Sequence, residues 1–238
     1  MTTNSNNQLV FLVTGTSRGI GKFIAEYYCQ LNCIVVGCSR TPATFVHKNY
    51  HHLVLDVAIE ADILEAFKYI RKNFKKLDVL INNAAINPAI VSGALLPYST
   101  MEKIFKVNVY APMLFCREAI KLMVRNKSGR IINMGSMASK HEVAGEALYT
   151  STKTALNAYT RVLAKEVAKL GITVNVVSPA AIKTELSAKI NQKALIEVLS
   201  RNAITEYGEF VDVTNTLDFL LKKESNSITG QIIYLGGA

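Results

Sequence analysis

The sequence predicts an α/β fold: one domain, 1–238, built on a doubly wound, seven-stranded parallel sheet with helices on both faces. Three observations carry that expectation. Apolar strand-like runs recur at 9–13, 33–37, 53–55, 77–82, 130–135, 172–177 and 231–235. The segments between them are long enough to hold helices, near 19–31, 60–74, 100–126, 147–170 and 211–222, with a shorter one near 187–202. Half of the 238 residues are hydrophobic (50%), enough for one large core, and no repeat, low-complexity tract or Pro/Gly/Ser linker divides the chain. Seven such alternations imply a parallel sheet covered on both faces, with ligands beyond the carboxyl ends of its strands.

Taken in order, the elements place chemistry at those ends. The first run, Leu9 to Val13, leads through Thr14, Gly15, Thr16, Ser17, Arg18, Gly19, Ile20 and Gly21 into the first helical pattern. Strand, glycine loop and helix make a dinucleotide cradle: Gly15 permits the tight turn, Gly19 lets backbone approach a pyrophosphate, and Gly21 allows close helix packing. The second run ends at Cys38, Ser39 and Arg40. A carboxylate there would bond both ribose hydroxyls of NAD and repel a 2′-phosphate; none is present. Arg40 and Arg18 instead offer guanidinium forks, and with Ser39 they read as NADP(H). The third run closes on Asp56 and Val57, the fourth on Asn82, Asn83, Ala84 and Ala85, the fifth on Ser136, and the sixth on Ser178, Pro179 and Ala180.

Tyr149 and Lys153 stand four apart in the 147–170 helix and so share one face. A phenol beside an ammonium is a proton donor, because the cation favours the phenolate and is expected to lower the Tyr149 pKa. Ser136 adds a hydroxyl.

The motifs TGTSRGIG (14–21), NNAA (82–85), Asn108, Ser136, YTSTK (149–153) and Ser178-Pro179 occur in the order and spacing of the short-chain dehydrogenase/reductase family, which this chain resembles over nearly its whole length. GRIINMGS (129–136), KEVAKLGITVNVVSP (165–179) and ITGQIIYLGG (228–237) look most like the 3-oxoacyl-acyl-carrier-protein reductases within it. The resemblance implies a Rossmann-type fold and an oxidoreductase in which Tyr149 is the acid on a carbonyl oxygen. Ser136 would fix that oxygen, and Lys153 would bind the nicotinamide ribose. Asn108 would hold a water that closes a proton relay from Lys153. Asp56 and Val57 would meet the adenine, Asn82 would brace the sheet beside Asn83, the Ala84 backbone would lie near the adenosine ribose, the Ile182 backbone would bond the nicotinamide carboxamide, and Thr184 would bond its amide or a phosphate. Ala85 and Ala180 replace the family's glycines. Lid 185–210 would cover the substrate, with Leu186, Ile190, Leu195, Ile196 and Leu199 on one side and Lys189, Lys193 and Arg201 on the other.

The expected reaction is NADPH-dependent reduction of a 3-oxoacyl thioester, with acyl carrier protein as a candidate partner. A free small ketone, sugar or steroid-like alcohol is the alternative substrate, and a non-catalytic cofactor sensor the third reading. Of two basic residues that greet the carrier in the resembling reductases, Lys127 stands for one; Leu170, with Lys169 beside it, replaces the other. Lys127, Lys169 and Arg130 are expected near the cleft mouth. Family members often pair the 100–126 and 147–170 helices, so a dimer or tetramer is expected, with Met101, Ile104, Val107 and Leu114 as its apolar face.

Composition narrows the rest. Net charge is +9, from 27 basic and 18 acidic residues, which favours anionic partners. The basic residues are dispersed and form no nucleic-acid motif, so no nucleic acid is expected. Cys29, Cys33, Cys38 and Cys116 lack CxxC spacing and read as buried thiols rather than a disulfide or metal site. The first eight residues lack a signal-peptide pattern and no apolar run approaches a membrane span, so a soluble, cytoplasmic protein is expected.

Overall fold

The computed structural model describes residues 8–87, 91–183 and 199–237. Seven strands form one parallel sheet in the order β3-β2-β1-β4-β5-β6-β7: β1 Val10–Thr14, β2 Ile34–Ser39, β3 Tyr50–Val54, β4 Val79–Asn82, β5 Gly129–Met134, β6 Ile172–Ser178 and β7 Ile232–Tyr234. The central strands β1, β4, β5 and β6 are buried along their whole length, while β3 and β7, at the edges, are partly exposed. β1 and β4 pair in parallel, but the strand order reverses between them, so the connections that leave their carboxyl ends run to opposite sides and open a crevice.

Helices fill both faces. On one, α2 (Glu60–Asn73), α4 (Ala111–Met123) and α6 (Ala147–Val167) pack Phe67, Phe115 and Leu163 against Leu12, Val36 and Ile131. On the other, α1 (Gly19–Gln30) and α7 (Phe210–Leu221) pack Ile24 and Val213 against Phe11, Val13 and Val35. These side chains are at most 7% exposed, so they give the sheet its hydrophobic stabilisation.

The expected helix over 100–126 is interrupted. Helix α3 (Tyr98–Phe105) passes into a π-helical turn at Lys106–Tyr110 before α4 begins, and a 3₁₀ turn, Val124–Asn126, ends the run. Pro112, in the first turn of α4, has no N–H for the carbonyl of Asn108 four residues back, so the α-helical ladder breaks there. Short α5 (Ala138–His141) bridges β5 and α6. The apolar stripe expected to face a second copy also differs: Ile104 is 3% exposed, and Val107 packs against the chain's own core.

Most of the helix expected near 187–202, and the lid side chains from Leu186 to Ile196, lie outside the described residues. The lid's described end is anchored. Ala203 and Ile204 N–H groups donate to the carbonyls of Gly237 (3.1 Å) and Gly236 (2.8 Å), and Gly208 pairs with Ile182. Among the described residues no helix is long and apolar enough to cross a membrane.

Candidate active site

The crevice between β1 and β4 continues into a cleft of about 450 Å³. At one end the glycine loop folds back on itself. Gly15 has φ +75° and Gly19 φ +57°, left-handed values that glycine adopts without strain. A Cβ at Gly15 would lie 2.9 Å from the Cα of Ala84, and one at Gly21 would collide with Gly15 and Asn83. Gly21 thus lies behind the cleft, where it allows α1 to pack. Helix α1 begins at Gly19 with no side-chain cap and no acid in its first turn, so its leading N–H groups remain available to an anion at the cleft wall formed by Arg18, Gly19 and Ile20.

The fourth strand's end holds this loop in place. Asn83 donates through Nδ2 to the carbonyls of Thr14 (2.9 Å) and Gly15 (3.2 Å), while the N–H groups of Asn83 and Ala84 donate to Thr14 Oγ1. Asn82 points into the sheet and donates to Asn133 Oδ1 at 2.8 Å, joining β4 to β5. Thr14 is therefore a site-shaping residue that the motif reading passed over; its hydroxyl is the common acceptor of two N–H groups from another strand.

Arg18, Ser39 and Arg40 all line the cleft, with Thr41 beside them. The Ser39 side chain is also engaged within the Ser39–Thr41 turn. Its Oγ donates to the Thr41 carbonyl at 2.7 Å, so its proton shapes the turn that carries Arg40. Asp56 and Val57 form the neighbouring wall, and Asp56 Oδ1 accepts from the Ala58 N–H at 2.9 Å. Lys103 of α3 also reaches this cleft, a fourth cation beside Arg18, Arg40 and Lys153 and one without a motif to announce it.

At the far end are Tyr149, Lys153 and Pro179. Tyr149 and Lys153, 7% and 3% exposed, share the α6 face that meets β5. Lys153 Nζ donates to the Met134 carbonyl at 2.8 Å and lies 5.7 Å from the centre of the Tyr149 ring. Burial pushes Lys153 down to about 8 and Tyr149 up to about 12, with a hydrogen bond to Ser136 drawing Tyr149 partly back. The expected lowering of Tyr149 by Lys153 is thus reversed in this structure: desolvation of the phenolate is the larger effect. Ser136 also accepts the Ala138 N–H at 3.1 Å, which orients its hydroxyl at the start of the turn before α5.

Asn108 is buried in the π-helical turn. Its side chain is spent on a loop: Nδ2 donates to the Ile86 carbonyl (2.8 Å) and to Thr152 Oγ1 (3.2 Å), and Oδ1 accepts the Ile86 N–H (2.9 Å). Any relay through Asn108 must use its backbone carbonyl, the group that Pro112 leaves without the usual donor. Ile182 is buried in the core and paired with Gly208, and its side chain does not line the cleft. Thr184 lies outside the described residues.

Lys127, Arg130 and Lys169 are not at the mouth of this chain's cleft. They precede or begin β5 and β6, whereas the cleft lies beyond the carboxyl ends, about 20 Å away along a six-residue strand. Arg130 is 8% exposed, with its guanidinium bonded to the Lys222 carbonyl and Asn226.

A glycine cradle under an uncapped helix, a cleft turning past Asn83, and a Ser-Tyr-Lys cluster at its end define a nicotinamide-dependent oxidoreductase. The chain belongs to the short chain dehydrogenase family, whose model matches residues 9–195. It is 34% identical over 232 residues to the 3-oxoacyl-acyl-carrier-protein reductase FabG of Rickettsia conorii, covering 95% of this chain and 94% of that protein. It is 33% identical over 237 residues to a 3-oxoacyl-acyl-carrier-protein reductase of Bos taurus, covering 96% of each. Among solved structures, ElxO with NADP bound superposes with a TM-score of 0.87 at 28% identity, over 96% of this chain and 97% of that one.

Proposed function

We propose that this protein reduces the 3-oxo group of an acyl thioester to the 3-hydroxy group with NADPH. The observation that carries the reading is the hydroxyl pair of half-buried Ser136 and buried Tyr149, with Lys153 beside it, at the end of a cleft that also presents Arg18 and Arg40. When bound, the nicotinamide cofactor supplies hydride to the carbonyl carbon. The protein's residues act on the oxygen. Ser136 and Tyr149 would both donate to it, and Tyr149 would pass it a proton as negative charge develops there. A phenol holds its proton at neutral pH and burial raises its titration further, to about 12, so the acid is in its donor form. The ammonium of Lys153 would then stabilise the phenolate and return a proton, drawn through water held by the Asn108 carbonyl. Arg18 and Arg40 would take the 2′-phosphate that distinguishes NADPH from NADH.

The thioester rests on the named activity of the similar reductases, with acyl carrier protein as the partner that delivers it. A free small ketone is favoured instead by one observation: the basic residues expected to greet a carrier lie at the opposite end of the sheet within this chain. Assembly into a dimer or tetramer through α4 and α6 is supported by Tyr110, in the turn that leads into α4, and Val162 of α6, which are 52% and 56% exposed. Oxidation of NADPH and of NADH, followed with a 3-oxoacyl carrier-protein thioester, acetoacetyl-coenzyme A and simple ketones, tests the reaction, substrate and cofactor, and the mass in solution tests the assembly. Thioester turnover with NADPH is expected to exceed the others by at least tenfold. Faster reduction of simple ketones would select the second substrate, and no turnover with any would reject the reaction.

A further inference from the structure

Edge strand β3 carries a polar chain that runs beneath the cofactor cleft. Tyr50 Oη lies 2.8 Å from Thr16 Oγ1, inside the glycine loop, and 2.8 Å from His52 Nδ1. His52 Nε2 lies 2.9 Å from the Thr41 carbonyl and 3.2 Å from Ser39 Oγ. A carbonyl can only accept, so Nε2 carries a proton and donates to Thr41. The Ser39 hydroxyl donates to the same carbonyl. Thr16 in turn is tied to β2, its N–H and hydroxyl both directed at the Cys38 carbonyl.

The imidazole therefore spans two segments that reach the cleft independently: the glycine loop, through Tyr50 and Thr16, and the Ser39–Thr41 turn bearing Arg40. A ring has no internal torsions, so the separation of its two nitrogens is fixed. Gly37 makes room for the arrangement, because a Cβ there would collide with the hydroxyl of Tyr50 and lie 2.6 Å from Thr16 Oγ1. Burial raises the Tyr50 phenol to about 12 and so keeps it a donor across the working pH range.

We infer that His52 is a positioning residue for cofactor choice: it braces the Ser39–Thr41 turn so that Arg40 meets a phosphate on the adenosine ribose. The inference rests on the proposal that this turn receives the 2′-phosphate. Neither the hydride nor the proton transfer involves His52, and a cofactor without the 2′-phosphate has little need of the turn's exact placement. The loss should fall on NADPH alone.

The test is isothermal titration of NADPH and NADH against the full chain and three variants, Arg40→Ala, His52→Ala and His52→Gln, with turnover at saturating NADPH. His52→Ala removes the donor to Thr41, and loss of one hydrogen bond corresponds to an NADPH affinity roughly 3- to 10-fold weaker. NADH affinity and saturated turnover should stay within about twofold of the parent, on the scale of exchanging a surface group. His52→Gln keeps an N–H donor for the Thr41 carbonyl and should recover most of the NADPH affinity. Equal weakening toward both cofactors, or failure of Gln to rescue, would reduce His52 to a structural residue and overturn the inference, as would unchanged NADPH binding in His52→Ala. Arg40→Ala separates the two levels: if it too leaves the NADPH preference intact, the placing of the phosphate at this turn fails; if it alone abolishes the preference, only the role of His52 fails.

Discussion

Replacing Lys153 with methionine should stabilise the fold at neutral pH while abolishing turnover. Lys153 is 3% exposed, and its ammonium is opposed by burial rather than supported by a carboxylate. Its titration falls from the ordinary 10.5 to about 8, and at 1.36 kcal/mol per pH unit that gap corresponds to roughly 3 kcal/mol against the charged folded state. Methionine fills similar space without the charge but forfeits the bond to the Met134 carbonyl, which returns about 1 kcal/mol. The expected net gain at pH 7 is about 2 kcal/mol, or some 4–8 °C in Tm for a chain of this size. The pH dependence gives the sign. Below about 8 both folded and unfolded chains hold the proton and the penalty is fully present. As pH rises toward 10.5 the folded lysine sheds its proton while the unfolded one keeps it, so the parent gains stability and the advantage of the variant shrinks. Thermal unfolding of both proteins at pH 7 and at about pH 9.5 measures this difference, and groups common to both cancel. A variant that is less stable than the parent at pH 7, or whose difference does not change with pH, would refute the account of Lys153 as a buried, unfavourable cation.

Three other outcomes are expected. Tyr149→Phe removes only the hydroxyl, so titrated cofactor affinity should persist while turnover falls by roughly two to four orders of magnitude. Ser136→Ala removes the hydrogen bond that draws Tyr149 downward, so turnover should fall about a hundredfold and the alkaline limb of its pH profile should move upward; a limb that stays in place would separate Ser136 from Tyr149. Arg40→Asp should weaken NADPH and strengthen NADH in paired titrations, since a carboxylate there repels the phosphate and bonds free ribose hydroxyls.

The sequence alone determined the alternation of strands and helices, because apolar runs and the segments between them are local facts that burial later satisfies. It also placed the glycine loop, Ser136, Tyr149 and Lys153 in one region, since a parallel sheet sends every strand's carboxyl end to the same side. What it left open depended on neighbours distant in sequence. No spacing shows that the Asn108 amide is taken by Ile86, or that Thr14 accepts from Asn83 and Ala84; those contacts exist only once β4 lies beside β1. Pro112 was visible as a residue, but its effect on the Asn108 carbonyl appears only in a helix long enough to be interrupted. The direction of the Tyr149 titration could not follow from its spacing to Lys153. Adjacency on one helix face supplies a Coulombic effect of known sign, whereas the opposing desolvation depends on how completely β5, α5 and α6 enclose the phenol, and only the tertiary structure decides that.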